Sequence, residues 1–176
     1  KYLEVCTVSV VYGQKHVKEL ECAKEIASYY HLRHYELDLS SVLRYSNCPL
    51  LENSTESIPE KSYAEQIAEN GEGKVSTYVP FRNGLMLPAV AALAQSIWPD
   101  DNVDIVLGAH ADDAAGRAYA DCSEEFTSAM NTAIIIGTYG KVRVIAPLVN
   151  MNKAEVIKAG LDLNVPYELT TSCYKG

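Results

Sequence analysis

Apolar and β-branched residues crowd positions 2–11, YLEVCTVSVV, and the run stops at Gly13. Such a stretch predicts a buried strand. The period then changes: in HVKELECAKEIASYYHL the residues Val17, Leu20, Ala23, Ile26, Ala27 and Tyr30 fall on one face, with Lys and Glu on the other, which predicts an amphipathic helix. RHYELDL follows as a second strand. The first forty residues therefore read as a β-α-β unit, whose parallel strands imply a right-handed crossover.

From Ser40 to Tyr78 the pattern lapses into Ser, Asn, Glu, Pro and Gly with scattered hydrophobes, a long excursion of the kind that is functional or disordered. Regularity returns with RNGLMLPAVAALAQSIW, read as a buried helix, and VDIVLGAH, read as a short, fully buried strand. An irregular stretch, ADDAAGRAYADC, leads to the helix SEEFTSAMNTAIIIGT, with Ser123 as N-cap and Glu124 and Glu125 in the first turn. KVRVIAPL is a further strand. The last helix, NKAEVIKAG, opens on a capping box of Asn152 and Glu155 and ends at Gly160. Alternating strands and helices predict an α/β layer fold around a parallel sheet.

In such folds ligands sit beyond the carboxyl ends of the strands. Each polar cluster here follows a strand: Tyr12, Gln14 and His16 after the first, His110, Asp112 and Asp113 after the third, Asn150 and Asn152 after the fourth. Arg82 and Asn83 open the helix between the second and third strands. All four groups are expected at one edge.

Composition narrows what that edge does. The 176 residues carry 15 basic and 23 acidic side chains, net −8, which lacks the basic footprint of a phosphate-gripping nucleic-acid binder. A small substrate fits better. LMLPAVAALAQSIW is interrupted by Pro88 and too short to span a bilayer, and the first residues do not read as a signal peptide, so a cytoplasmic protein is expected, with no membrane partner. Five scattered cysteines without a C-x-x-C pair argue for reduced thiols. The dinucleotide fingerprint, the P-loop and the G-x-S-x-G elbow do not occur.

Arg82 and Asn83 at a helix start suit a carboxylate or phosphate, although an Arg there can also fix a loop through a surface ion pair. GAHADD could hold a magnesium ion carrying nucleotide phosphates, or its Asp residues could cap the next turn with His110 satisfied structurally. Cys173, in TTSCYKG, is either a bystander or the first ligand of a zinc site.

The ordered motifs VVYGQKH, VPFRNGLML, GAHADDAAGRAYADCSEEF, KVRVIAPLVNMNKAEVIKAG and TTSCYKG closely resemble the 7-cyano-7-deazaguanine synthase family, which is similar to other PP-loop ATP pyrophosphatases. The resemblance implies a Rossmann-like doubly wound parallel sheet of the adenine nucleotide alpha hydrolase type, residues 1–176 forming one such domain with the excursion at 40–78. It implies an ATP-dependent carbon-nitrogen ligase. The acid 7-carboxy-7-deazaguanine would be adenylated, converted by ammonia to an amide, then adenylated again and dehydrated to the nitrile. It gives catalytic roles to Arg82 and Asp112, nucleotide contacts to Tyr12, Gln14, His16 and Asn83, and substrate contacts to His110, Asp121 and Cys122. Asp121 is the favoured reader of the guanine-like edge. Cys173 would be the first of four zinc cysteines. ATP, Mg2+ and Zn2+ are the implied cofactors, and a homodimer without direct nucleic-acid contact is the implied assembly.

By the family pattern an S-G-G-x-D-S pyrophosphate loop, on a central strand, belongs before residue 1, and three more zinc cysteines belong after residue 176. The reading therefore expects the chain to be part of a longer protein. YADCS also departs from the family, where many relatives have Pro before the Asp and Arg after the Cys. Two alternatives stay open: a same-fold paralogue that couples a deazaguanine carboxylate to another amine or to a protein, and a non-catalytic nucleotide-binding module.

Overall fold

The computed structural model describes residues 4–59, 61, 63–70 and 75–171. The chain divides into two compact units, residues 1–59 with 164–176, and residues 60–163. Both are mixed α/β, with parallel strands connected through helices.

In the first unit β1 (Cys6–Val11) pairs in parallel with β2 (Arg33–Asp38), Cys6 opposite Arg33 through Val11 opposite Asp38. The connecting α1 spans Lys18–Tyr29. Leu20, Ala23, Ile26 and Ala27 face inward, as the period requires, but Val17 and Tyr30 are exposed. Both lie just outside the helix, where the 3.6-residue period no longer fixes side-chain direction. A single turn, α2 (Ser40–Leu43), follows β2.

The excursion is not featureless. Residues 44–56 are knitted by their own side chains: Asn53 Nδ2 donates to the Arg44 and Ser46 carbonyls at 2.6 and 3.1 Å, and Asn47 Oδ1 accepts from the Thr55 N–H at 3.1 Å. Asn and Ser groups substitute here for ladder bonds. Cys48, Leu50 and Leu51 are buried beneath them. Further on, α3 (Tyr63–Asn70) is a helix that the sequence pattern did not predict.

In the second unit α4 (Arg82–Ile97) precedes β3 (Val103–Val106), and α6 (Glu124–Gly137) precedes β4 (Val142–Ile145), with the one-turn α5 (Ala111–Ala114) between β3 and α6. β3 and β4 are parallel, Val103 opposite Val142. Leu87, Ala91 and Ala94 of α4 and Ile134 of α6 pack on Ile105, Val142 and Val144, forming one core cluster. Every second strand residue joins it, as the pleat dictates. On the other face Arg143 Nη2 donates to Asp104 Oδ2 at 3.0 Å, and Val106 is 61% exposed. The third predicted strand is therefore buried on one face and not on both.

The caps agree with the sequence. Ser123 Oγ accepts from Phe126 N–H at 3.1 Å, and Asn152 and Glu155 exchange both bonds of a capping box at the start of α7 (Lys153–Asp162). Gly160, however, is a buried interior residue of α7, and the helix ends two residues later, with Asn164 taking the left-handed conformation (φ 54°). Asn tolerates that region better than most residues, so it can serve where Gly was expected. Among the described residues no helix is long and apolar enough to cross a membrane.

Candidate functional site

Tyr12, Gln14 and His16 belong to the first unit and lie at the carboxyl end of β1. Gly13 turns the chain with φ +85°. Gln14 is buried and folds back on the strand end: its Oε1 accepts the Tyr12 N–H at 2.8 Å, and its Nε2 lies 3.4 Å from the Val10 carbonyl and from Glu19 Oε1. Its backbone forms an antiparallel bridge with Leu51. The carboxamide thus closes the end of the strand, Tyr12 is buried beside it, and His16 is half-buried.

The second unit gathers Arg82, Asn83, Asp121 and Cys122. α4 begins without a side-chain cap of its own. Its N-cap, Phe81, has φ 52° and ψ 35° and offers no side-chain acceptor, and its first turn contains no acidic residue. A non-glycine residue in that left-handed region costs roughly 1–2 kcal/mol. The missing acceptor comes from far along the chain: Asp121 Oδ2 accepts the Asn83 N–H at 2.8 Å. Asn83 answers, its Nδ2 donating to the Asp121 carbonyl at 2.9 Å and to Cys122 Sγ at 3.3 Å. Asn83, Asp121 and Cys122 are all buried, Asp121 only 4% exposed. The first turn of α4 and the turn at 120–122 are thereby locked together. Arg82, half-buried, stands between the strained Phe81 and the tied Asn83.

Two further contacts brace this corner. Phe81 N–H donates to Tyr78 Oη at 3.0 Å, and the Phe81 ring meets Phe126 edge-on at 5.8 Å. The buried Thr77 and Tyr119 hydroxyls lie 2.6 Å apart. Gly84 leaves room for the Phe81 ring, since a Cβ there would come within 2.2 Å of Phe81 Cζ. Sequence reasoning passed over Phe81, Gly84, Thr77 and Tyr119. The one available signal was a bulky residue directly ahead of a helix start that lacks any capping side chain.

Burial, then the nearby Asp113 and Asp121 carboxylates, push the Cys122 thiol up to about 11, against a smaller downward pull from Arg82 and the Asn83 bond. A rise from 9.0 to about 11 leaves about a hundredfold less thiolate at neutral pH. Cys122 is therefore a packing and hydrogen-bonding residue, not an activated nucleophile. At pH 8 iodoacetamide is expected to label it at least about a hundredfold more slowly than a small-molecule thiol, as read by peptide mass spectrometry. Labelling as fast as the free thiol would show this to be wrong. The sign for stability follows: the unfolded chain releases this proton near 9 and the folded chain near 11, so stability falls as pH climbs through that window.

The GAHADD residues are dispersed to separate tasks. Asp112 is exposed, and its Oδ2 accepts the Lys153 N–H at 2.8 Å, at the first position of α7. Asp113 Oδ2 lies 3.5 Å from His110 Nε2, and His110 Nδ1 is buried without a hydrogen-bond partner. Among the described residues no three His, Cys, Asp or Glu side chains converge as a metal would require. Asp112 thus caps α7, far along the chain, and not the turn that follows it. Cys173 lies outside the described residues.

The whole chain, residues 1–176, matches the family described as queuosine biosynthesis protein QueC. It is 36% identical over 174 residues to the 7-cyano-7-deazaguanine synthase of Archaeoglobus fulgidus, covering 98% of this chain and 68% of that protein. It is 35% identical to the enzymes of the same name from Oceanobacillus iheyensis, covering 98% and 74%, and Thermoplasma volcanium, covering 100% and 70%.

Proposed function

From the premise that the chain belongs to the QueC family of queuosine biosynthesis proteins, we propose that it is an ATP-dependent ligase that makes a nitrile from an aromatic acid, 7-carboxy-7-deazaguanine, and ammonia. A carboxylate is a poor electrophile because its leaving group would be oxide. Transfer of AMP from ATP gives the acyl adenylate and pyrophosphate, and ammonia then displaces AMP to form the amide. A second ATP adenylates the amide oxygen, releasing pyrophosphate. Loss of AMP and a proton leaves the carbon–nitrogen triple bond.

The observation that carries this reading is the lock between the start of α4 and the turn at 120–122. It supports a site in which Arg82, at a helix N-terminus, faces the anionic groups that change charge during adenylation. A guanidinium held in place there stabilises charge building on a carboxylate or phosphate oxygen more strongly than water can. Asn83 supports that helix end, and the turn bearing Asp121 and Cys122 borders the heterocycle. Tyr12, Gln14 and His16, at the end of β1 in the first unit, are proposed as nucleotide contacts, with Gln14 shaping the strand end through its bond to the Tyr12 N–H. Asp112 and Asp113 do not converge with a third ligand among the described residues.

The test is to incubate the purified protein with ATP, ammonia and 7-carboxy-7-deazaguanine and follow pyrophosphate and product mass. The expected result is two pyrophosphates per nitrile. An amide or a conjugate as final product would favour the same-fold paralogue, and no acid-dependent pyrophosphate would favour a nucleotide-binding module.

A further inference from the structure

We infer that Asp121 is a positioning residue: its carboxylate acts on the start of α4, and through it on Arg82, and not on the ring of a bound heterocycle. Resemblance to the family had favoured a direct contact with the guanine-like edge. The geometry points elsewhere. Asp121 is 4% exposed, its Oδ2 is bound to the Asn83 N–H at 2.8 Å, and its own carbonyl is held by the Asn83 side chain at 2.9 Å. This carboxylate supplies what α4 lacks. The helix begins with Arg82, a cation at the positive end of the helix dipole, with no acidic residue in its first turn and no side-chain acceptor on its N-cap. A buried carboxylate oxygen from 38 residues away accepts one of the orphan donors of that helix end. Arg82 follows a residue at φ 52° and precedes the residue that Asp121 grips, so its backbone is fixed from both sides.

The inference rests on the reading that Arg82 works at the reacting carboxyl. Asp121→Asn keeps an oxygen that can accept the Asn83 N–H, whereas Asp121→Ala removes it. The expected result is that Asp121→Asn keeps kcat and the KM for the heterocyclic acid within about threefold, while Asp121→Ala lowers kcat by about thirtyfold or more with little change in KM. In an Arg82→Ala background Asp121→Ala should cost almost nothing further in kcat, because both changes remove one function. Loss of activity in Asp121→Asn through a raised KM, or full additivity with Arg82→Ala, would overturn the inference, since either means that the carboxylate meets the substrate itself.

Should Asp121→Ala not fold, Asp121→Asn still decides between the two roles. Amide hydrogen exchange of Asn83 gives a readout apart from activity: protection is expected in wild type and Asp121→Asn and lost in Asp121→Ala. An unprotected Asn83 amide in wild type would also overturn the inference. A wild-type protein that releases no pyrophosphate sinks the functional reading, and the exchange measurement still decides the tie.

Discussion

Arg82→Ala should lower turnover by about two to three orders of magnitude, roughly 3–4 kcal/mol of transition-state stabilisation, the scale on which a charged donor aimed at a developing anion acts. The fold should survive. Arg82 is half-buried and lies at the end of α4 where the helix dipole disfavours a cation, a placement that costs a few tenths to about 1 kcal/mol at such sites. Its removal should therefore leave thermal stability unchanged or slightly raised. That combination separates charge at a reacting centre from ordinary packing, and it is read by steady-state pyrophosphate release together with thermal unfolding. Wild-type rates in the variant would take Arg82 out of the site. A fall in rate matched by a fall in stability would instead make it a structural residue.

Gly84→Ala should destabilise the protein by about 1–3 kcal/mol, the usual cost of forcing a carbon into filled space. The new Cβ would meet Cδ1, Cε1 and Cζ of Phe81 at 2.2–2.6 Å. The ring would have to swing away, and its edge-on contact with Phe126 would be lost. Phe81→Gly tests the mechanism. That change gives up the ring contacts but also sheds the strain of φ 52°, and in its background Gly84→Ala should cost almost nothing. An equal penalty in both backgrounds, measured by urea unfolding, would mean that something other than the Phe81 ring occupies the space.

Much of the fold was legible because its determinants are local. The β-α-β unit, the N-cap of Ser123 and the Asn152–Glu155 capping box each depend on residues within one period or one turn, and each is present. The inward face of α1 was legible for the same reason; its flanks, Val17 and Tyr30, were not, because periodicity lapses where the helix does. The exposed Val106 shows the other limit: an apolar run does not reveal whether a second layer covers its outer face. Within the candidate site, Arg82 and Asn83 were legible as a helix start. The partner of Asn83 was not, since a bond across 38 residues leaves no spacing to read. Gln14 was read as a rim residue from its place after a strand, and nothing in the sequence tells that its carboxamide turns back to bind the Tyr12 N–H.

The parallel register of β3 and β4 has a kinetic side. Asp104 sits opposite Arg143, 39 residues on, whereas Thr7 and His34 across the other strand pair are separated by 27. Ring-closure entropy differs between the two by only about 0.3 kcal/mol, too little to rank them. What distinguishes them is cargo: one crossover carries a single amphipathic helix, the other carries the turn with Asp121 and Cys122. That turn cannot be gathered by nearest-neighbour folding. It meets α4 through contacts that span 38 residues or more, and such contacts raise the contact order that slows folding.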